Sequence, residues 1–430
     1  MDSLLNNTSP EKVVVLYFQV HQPRRLSGFR FFDIGTGNNC FDDELDREVI
    51  TRVATECYLP ANTLLMHLIR RYPNIRITFS LSGVLIEQLE AFAPAALQSF
   101  RDLASTGAVE FLSETYYHSL ACMLPGKEFE EQVLKHTETL YSYFGVRASA
   151  FRNTELIYND DLGHRVSKLG FAGCLIDGIE QIPEMNNPNH VYEHPDDGLF
   201  RLLPRNYRLS DDIGFRFIDQ GRTLTVEKYL NRIDRACAPG DVVTIGLDYE
   251  TFGEHRKRNT GIIEFFEELL TRIATSPTLT MATASVAMVQ QPSSGPVSIP
   301  HYISWADNER DLSAWLGNEM QRDAFDSLRA LEYEVKNLGD NRLLSEWRNL
   351  QISDHLYYMS TKKGSDGTVH SYFSPYSSPY EAFINYMNVM TDFSSRVRMA
   401  AAGNAAVADV LESRTNIDHV PRMTMLAERM

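Results

Sequence analysis

Two segments of the chain place carboxylates directly after apolar runs, where side chains can project from the end of a strand. Residues 248–255 read Asp-Tyr-Glu-Thr-Phe-Gly-Glu-His and follow the apolar run 242–247, while residues 151–155 read Phe-Arg-Asn-Thr-Glu. Two carboxylates on either side of a sugar ring can cleave a glycosidic bond. One attacks the anomeric carbon or activates water, and the other protonates the leaving oxygen. We therefore take Glu155 and Asp248 as the candidate pair.

Each of these carboxylates also has a purely structural interpretation. Glu155 follows Asn153 and Thr154, either of which could cap a helix, and Asp248 could itself be a helix cap or a loop carboxylate. Taken singly, these interpretations have the same weight as catalysis. The acid of such a pair needs a raised pKa, which apolar surroundings and a neighbouring negative charge can supply.

The elements that would position the pair alternate between strands and helices. Strand-like runs are predicted at residues 13–20, 75–81, 109–112, 148–151, 171–176, 199–203 and 242–247. Helices are predicted at residues 61–72, 84–107, 129–144, 160–169, 226–236 and 261–274. This alternation predicts an α/β fold with a parallel sheet. Seven strands without a dinucleotide-binding glycine fingerprint favour a seven-stranded parallel (β/α)7 barrel, an incomplete TIM-like barrel. An open doubly wound sheet is the alternative.

A change of pattern after the last predicted strands indicates a second region. The segment 292–296, Pro-Ser-Ser-Gly-Pro, is the predicted boundary. We expect residues 1–291 to form a catalytic barrel and residues 297–430 to form a C-terminal α-helical region that contributes to the active site. Its long helices are predicted at 308–338, 342–359 and 380–411, with a loop at 362–378.

Polar residues follow five of the predicted strands, and in parallel α/β barrels function gathers at the carboxyl ends of the strands. A single polar residue after a strand is weak evidence for a functional site, but polar residues after five strands predict one polar pocket. Candidate substrate-binding residues there are His21, Gln22, His118, Arg152, Asp177, Glu250 and His255, joined from the helical region by Trp305 and Trp315. Taken singly, a histidine is more often a satisfied core residue, and a tryptophan more often packs in a core.

Composition narrows the classes of partner. The net charge of −16 disfavours nucleic acid, because phosphate binding relies on clustered Lys and Arg. The sequence contains no run of 18 apolar residues, so no membrane span is predicted. Residues 1–10 lack the pattern of a signal peptide. The five scattered cysteines are expected to be free thiols in a reducing compartment. We therefore expect a cytoplasmic enzyme without a metal or other cofactor, and leave its oligomeric state open.

Taken together, the motifs resemble those of glycoside hydrolase family 57, in particular its α-amylase-type members. The matching segments occur in order at residues 17–23, 110–118, 151–156, 248–255 and 305–318. The resemblance implies a seven-stranded barrel, a retaining mechanism, a nucleophile at Glu155, a general acid/base at Asp248 and a histidine, His21, at a sugar subsite. Some α-amylase-like members lack one or both carboxylates, whereas this chain has both.

The expected activity is retaining cleavage of α-1,4-glucosidic bonds in starch, glycogen or maltooligosaccharides through a covalent glucosyl-enzyme intermediate. The same catalytic pair also serves 4-α-glucanotransferases and branching enzymes in this family, and the motifs do not separate these products. More distant alternatives are a catalytically inactive glucan-binding protein and a metal-dependent enzyme resembling polysaccharide deacetylases. The ligands of such a metal would come from His21, Asp33, His118 and His255.

Overall fold

Seven parallel strands form the centre of the computed structural model, which describes residues 12–238 and 240–417, with side chains as far as residue 403. They are β1 (Lys12–Val20), β2 (Ile77–Leu81), β3 (Val109–Phe111), β4 (Ala150–Arg152), β5 (Gly173–Asp177), β6 (Asp197–Arg205) and β7 (Val242–Asp248). Strand β1 pairs with β2 and β7, β6 joins β7 to β5, and β5 pairs with β4. Every residue of β1 and β2 is buried, as expected for strands covered on both faces.

The sheet curls until β3 and β4 meet just beyond their ends. The Ser113 N–H donates to the Ala150 carbonyl, and the Arg152 N–H donates to the Ser113 carbonyl, at 3.2 and 2.9 Å. The predicted seven-stranded parallel barrel is thereby confirmed, and the open doubly wound sheet is excluded.

Further short strands extend the sheet at its margins. Val191–His194 pairs antiparallel with β6, and Ser293–Pro296 pairs parallel with Val191–His194. Leu279–Met281 lies parallel to the start of β1, and Ile218–Asp219 pairs with Arg222–Thr223 in a separate hairpin. The predicted boundary segment 292–296 thus forms an edge strand rather than a free linker. The division of the chain into two domains stays a prediction.

Ten helices accompany the barrel strands: α1 (Asp43–Val53), α2 (Leu59–Arg71), α3 (Gly83–Phe92), α4 (Pro94–Ser105), α5 (Glu128–Phe144), α6 (Asp160–Lys168), α7 (Tyr207–Gly214), α8 (Val226–Ala236), α9 (Ile262–Ala274) and α10 (Ala284–Gln290). The predicted single helix 84–107 is wrong, because Pro94 begins a new helix. Proline has no N–H to continue the preceding helix and is tolerated in a first turn.

The C-terminal region is helical: α11 (Ser313–Leu316), α12 (Glu319–Ala330), α13 (Glu332–Leu338), α14 (Asn341–Asn349), α15 (Ser353–Tyr357), α16 (Gly364–Phe373) and α17 (Pro379–Ile417). The long helix predicted at 308–338 is divided into α11, α12 and α13. The loop predicted at 362–378 contains α16, whose one fully buried side chain is His370, so no apolar periodicity marks it as a helix. Residues 418–430 of the predicted region lie outside the described residues.

One apolar cluster joins the helical region to the barrel. It runs from Phe151 in β4 and Leu202 in β6 to Trp315 in α11 and Val389 in α17. A second cluster surrounds β1, β2 and β7 with side chains of α1, α2, α3, α4 and α9. All five cysteines are buried free thiols. None of the described helices is long and apolar enough to cross a membrane.

Candidate active site

Glu155 follows β4 in a 3₁₀ turn, Thr154–Leu156, and has the left-handed backbone angles φ 57° and ψ 24°. Asn153 and Asp248 directly precede short 3₁₀ turns, but neither side chain accepts a capping hydrogen bond from the backbone. Non-glycine residues adopt positive φ at a cost of about 1–3 kcal/mol, and such strain concentrates at functional sites. Of the six described non-glycine residues with positive φ, five surround this site: His118, Glu155, Leu156, Asp307 and Arg310.

Both carboxylate oxygens of Glu155 are held by ring N–H groups. Nε2 of His118 lies 3.1 Å from Oε1, and Nε1 of Trp305 donates to Oε2 at 2.5 Å. Burial alone would raise the pKa of Glu155. The hydrogen bond and charge of His118, the charge of Arg152 and the indole hydrogen bond outweigh it, so the pKa lies below its ordinary value. Glu155 is therefore ionised at neutral pH.

Asp248 is the last residue of β7 and lies opposite Gln19 of β1 in the parallel register. The loop that follows is fixed at Gly253, which has φ 135° and approaches the Glu56 carbonyl so closely that a Cβ would lie 2.1 Å from its oxygen. Burial, and next the negative charge of Glu155, raise the pKa of Asp248 to about 6. The two carboxyl groups therefore interact, and their pKa values differ in the way that an acid and a nucleophile require.

His118 and His21 lie face to face beside the pair, with ring centroids 3.9 Å apart and planes inclined by 21°. Nδ1 of His118 lies 2.9 Å from Oε2 of Glu114, three residues after the end of β3. Nδ1 and Nε2 of His21 lie 2.7 Å from the Ser82 hydroxyl and 3.1 Å from Oδ2 of Asp354. Burial, and then the charge of His118, lower the pKa of His21.

Asp177 at the end of β5 is fully buried in a four-membered ion-pair network. Its oxygens accept from Arg205 at 3.1 Å and Arg310 at 2.7 Å, and the same two guanidinium groups bind Asp211. Arg310 also donates to the Trp305 carbonyl at 2.9 Å. These contacts leave Asp177 no surface to offer a substrate, which corrects the sequence-based expectation. Through Arg310, the network contacts the Trp305 segment.

The two predicted tryptophans have different environments. Trp305 is partly exposed, and the guanidinium carbons of Arg152 and Arg205 lie 5.2 and 5.3 Å from its ring centroid. Trp315 is fully buried and packs beside Tyr357. A side chain without exposed surface does not stack on a sugar, so the expectation for Trp315 is corrected to core packing.

The remaining predicted residues lie around the two carboxylates at different depths. Arg152 is fully buried, and none of its three guanidinium nitrogens has a hydrogen-bond partner. Glu250 accepts from the Tyr58 hydroxyl at 2.5 Å, and burial followed by the charge of Asp248 raises its pKa to about 8. Gln22 lies beside Glu250 and accepts from Arg25 at 2.9 Å.

His255 lies at the edge of the site, between the loop after β7 and helix α16. Its Nδ1 is 3.2 Å from the Tyr372 hydroxyl, and its ring meets that of Phe373 edge-on at 5.3 Å. Burial lowers the pKa of His255 to about 4, so its ring is neutral at neutral pH. The structure does not bring it into contact with Glu155 or Asp248.

Sequence reasoning missed several residues of the site. Glu114 lies two residues after the predicted strand 109–112, which was a usable signal. Asp354 and Tyr357 come from α15 and carry no signal in the sequence. The partly exposed ring of Tyr357 stacks on His370 at 3.8 Å, and its hydroxyl is close enough to Glu155 and Asp248 to feel their charges.

The metal-ligand set of the deacetylase-like alternative is not assembled. Asp33 lies in an exposed loop, where its oxygens accept from the Arg30 N–H and Asn38. His21 and His118 engage the partners described above. Within residues 12–238 and 240–403, no three His, Cys, Asp or Glu side chains are grouped so that they could hold a metal ion.

Comparison with known proteins places this geometry in a family. The model of glycosyl hydrolase family 57 matches residues 15–300. A Methanocaldococcus jannaschii protein named "Putative alpha-amylase" is 39% identical over 406 residues, covering 90% of this chain and 85% of that protein.

Solved structures give the same fold at low sequence identity. A GH57 branching enzyme from Thermococcus kodakaraensis has a TM-score of 0.64 at 13% identity, covering 84% of this chain and 87% of that chain. A 4-alpha-glucanotransferase from Thermococcus litoralis has a TM-score of 0.60 at 16% identity, and the match covers 81% of this chain but only 56% of that enzyme. The chain belongs to glycosyl hydrolase family 57 and has its glycosidase fold.

Proposed function

We propose that the protein is a retaining glycosidase that cleaves α-1,4-glucosidic bonds in starch, glycogen or maltooligosaccharides. Glu155 is the nucleophile and Asp248 is the general acid/base. The observation that carries the proposal is the opposite shift of the two pKa values: that of Glu155 is lowered, and that of Asp248 is raised to about 6, in part by Glu155 itself. The name of the Methanocaldococcus jannaschii relative supports an α-glucan as the substrate.

The first step breaks the bond between the anomeric carbon and the leaving oxygen. The ionised Glu155 attacks that carbon and forms an ester, while the protonated Asp248 gives its proton to the leaving oxygen. In the second step the ionised Asp248 takes a proton from water. The water oxygen attacks the anomeric carbon, and Glu155 leaves as a carboxylate.

The coupling between the two groups lets Asp248 serve both steps. Once Glu155 is esterified it has no charge, so one of the two influences that raise the pKa of Asp248 is removed. Asp248 has by then given its proton to the leaving oxygen, and the lower pKa keeps it ionised as the base for the second step. His118 and Trp305 donate to Glu155 and stabilise it as the leaving carboxylate.

Side chains around the pair would hold the sugar. The partly exposed rings of His21, Trp305 and Tyr357 offer stacking and hydrogen-bonding surface. Arg152, with its unpartnered guanidinium, would act through charge on both carboxylates. Gln22, Glu250 and His255 surround Asp248 and its loop, and we propose that they shape the pocket rather than react.

Incubation with maltoheptaose tests the reaction. Products that are only shorter, released first as the α-anomer, support a retaining hydrolase. Longer linear products would instead identify a 4-α-glucanotransferase, and branched products a branching enzyme. Initial release of the β-anomer would contradict retention. Activity that is abolished by a chelator and restored by a metal ion would favour the metal-dependent alternative.

Two variants test the roles of the carboxylates. Glu155→Gln and Asp248→Asn should each lose turnover while still binding maltooligosaccharide. The matched control is Glu110→Gln, which changes a partly buried carboxyl group, bound to Thr78 and the Ser285 N–H. Unchanged turnover in Glu155→Gln would refute the nucleophile. A wild-type chain that binds maltooligosaccharide without any turnover would be a glucan-binding protein.

A further inference from the structure

His118 lies between two carboxylates, and this arrangement fixes the number of protons on its ring. Nδ1 lies 2.9 Å from Oε2 of Glu114, and Nε2 lies 3.1 Å from Oε1 of Glu155. An ionised carboxylate only accepts hydrogen bonds. Both ring nitrogens must therefore donate, which makes His118 an imidazolium. Burial opposes this charge, but the two hydrogen bonds outweigh it and raise the pKa of His118 to about 9.

Glu114 is built to stay ionised although it has no exposed surface. Its Oε1 accepts from the Ser80 hydroxyl at 2.6 Å, and Gln19 Nε2 lies 3.5 Å from the same oxygen. The Arg152 guanidinium lies 3.8 Å from Oε2. Burial would raise the pKa of Glu114, but the bond and charge of His118, followed by Arg152, lower it to about 2. Both Glu114 oxygens are thus occupied, and Oε2 faces His118.

The contacts of the stacked partner ring, His21, are all met by a neutral ring. Asp354 accepts from Nε2–H of His21, and the Ser82 hydroxyl can donate to Nδ1, so each contact is satisfied without a second ring charge. The positive charge of the stacked pair therefore belongs to His118. Other titratable or charged groups that face His118 or its two carboxylates are Tyr17, His21, His136, Arg152, Asp248, Asp354 and Tyr357.

We propose that Glu114 is a positioning residue for the reaction: it holds His118 as a doubly protonated ring whose Nε2–H binds the carboxylate of Glu155. Glu114 does not touch the substrate and acts only through His118. In the free enzyme the imidazolium keeps Glu155 ionised, and during the second step it stabilises Glu155 as the departing carboxylate. The consequence for catalysis rests on the proposed role of Glu155 as nucleophile, whereas the protonation of His118 does not.

Glu114→Gln separates this role from a structural one. The glutamine amide can still pair with Nδ1, through its oxygen or its NH2 group, but the ring loses its second proton and its charge, so Glu155 loses the charged donor at Nε2. We expect kcat to fall by about 10–100-fold, the loss typical when a residue that orients a functional side chain by a hydrogen bond is removed. KM should change less than about twofold, because Glu114 does not contact the substrate. The acidic limb of the kcat/KM profile should move to higher pH, because Glu155 loses its charged hydrogen-bond donor.

Glu110→Gln is the matched control. It removes a partly buried carboxylate four residues earlier, in β3, where the partners are Thr78 and the Ser285 N–H instead of a histidine. We expect its pH profile to match that of the wild type. A Glu114→Gln variant whose kcat and acidic limb match those of the wild type would overturn the proposal, as would an equal shift in Glu110→Gln.

Nitrogen-15 NMR of histidine-labelled protein gives a readout that does not depend on turnover. At about pH 7.5, above the ordinary histidine pKa of about 6.5, His118 should show two protonated ring nitrogens in the wild type and one in Glu114→Gln. Loss of its signals in His118→Gln assigns them. A neutral His118 in the wild type overturns the proposal, even if Glu114→Gln fails to fold. A doubly protonated His118 in a chain that cleaves no glucan would leave the Glu114 contact intact and refute the proposed function instead.

Discussion

The indole N–H of Trp305 donates to Oε2 of Glu155 at 2.5 Å, and the Trp305 backbone N–H donates to the Glu155 carbonyl at 3.1 Å. The segment after the barrel thus binds Glu155 at both its side chain and its backbone, across a separation of 150 positions. Because Glu155 has left-handed backbone angles, it needs such support to stay in place. The site is complete only when the segment that carries Trp305 is docked on the barrel.

Trp305→Phe should impair catalysis more than folding. The phenyl ring keeps most of the contact with Arg152 and Arg205 but has no N–H for Glu155. A hydrogen bond to a charged group contributes about 1.5–3 kcal/mol, so we expect kcat/KM to fall by about 10–100-fold. The acidic limb of the pH profile should also move upward, since one donor that lowers the pKa of Glu155 is lost. Steady-state kinetics on maltoheptaose across pH measure both effects.

Trp315→Phe is the control for this change. Its indole Nε1 is buried without a hydrogen-bond partner, so phenylalanine removes apolar contact but no hydrogen bond. We expect lower thermal stability and an unchanged pH profile. If both tryptophan variants lose activity in parallel with stability, the indole bond to Glu155 has no special role.

The pH dependence of kcat/KM should be bell-shaped and lie on the acidic side of neutrality. Asp248 acts in its protonated form and has a pKa raised to about 6, so activity is lost as pH rises through that value. Glu155 acts in its ionised form with a pKa below 4.5, so activity is lost only as pH falls below that value. A profile that stays flat to about pH 8 would exclude Asp248 as the acid.

Glu155→Gln provides a direct check of the coupling between the two carboxyl groups. Removal of the Glu155 charge should lower the pKa of Asp248, which carbon-13 NMR of labelled aspartate can follow without any turnover. Burial of Asp248 remains in the variant and still raises its pKa, against the charges of Arg152, Arg205 and His118. An unchanged Asp248 titration would mean that the two groups do not interact.

The two carboxylates were predictable because each lies at the end of an apolar strand, and parallel strands bring such ends to one edge of a barrel. Asp354 was not predictable, since it meets His21 across 333 positions and lies in a five-residue helix without a motif. Helix α16 was missed because it has no apolar stripe. Its buried side chain is His370, whose Nε2 lies 3.0 Å from Asp307. Periodic patterns in a sequence predict buried faces and the ends of strands. Polar contacts between distant segments produce no such pattern, so they cannot be predicted in this way.

Asp177→Asn tests the network behind Trp305. Removing one carboxylate leaves Arg205 and Arg310 with Asp211 as their one remaining ion-pair partner among the described residues. Breaking a buried ion pair at one partner costs about 3–5 kcal/mol, so we expect a loss of that order in the free energy of unfolding by urea. Activity should fall as well, because Arg310 also holds the Trp305 carbonyl.

Glu180→Gln is the comparison for Asp177→Asn. This exposed carboxylate pairs with Arg208 and accepts from the Tyr207 hydroxyl, in full contact with water. Exposed pairs contribute little to stability, and we expect almost no change in unfolding. Equal stability of the Asp177→Asn variant and the wild type would show that the four-membered network does not stabilise the fold.

Glu250→Gln should change how the stability of the protein depends on pH. Glu250 is 3% exposed, and burial followed by the charge of Asp248 raises its pKa to about 8. A carboxyl group with a raised folded-state pKa binds more protons in the folded than in the unfolded chain. Its contribution is therefore complete below the unfolded pKa of about 4.3 and is lost as pH rises through the folded value.

Glutamine at this position keeps an acceptor for the Tyr58 hydroxyl and does not titrate. Between about pH 5 and pH 8, the wild type should lose at least about 1 kcal/mol of unfolding free energy relative to Glu250→Gln, measured by urea denaturation. Glu254→Gln serves as the control with the opposite sign. Burial would raise the pKa of Glu254, but hydrogen bonds and charges from Lys257 and Arg52 lower it, so its stabilisation persists above the unfolded pKa. Parallel curves for the wild type and Glu250→Gln would show that Glu250 is ionised in the folded protein throughout this range.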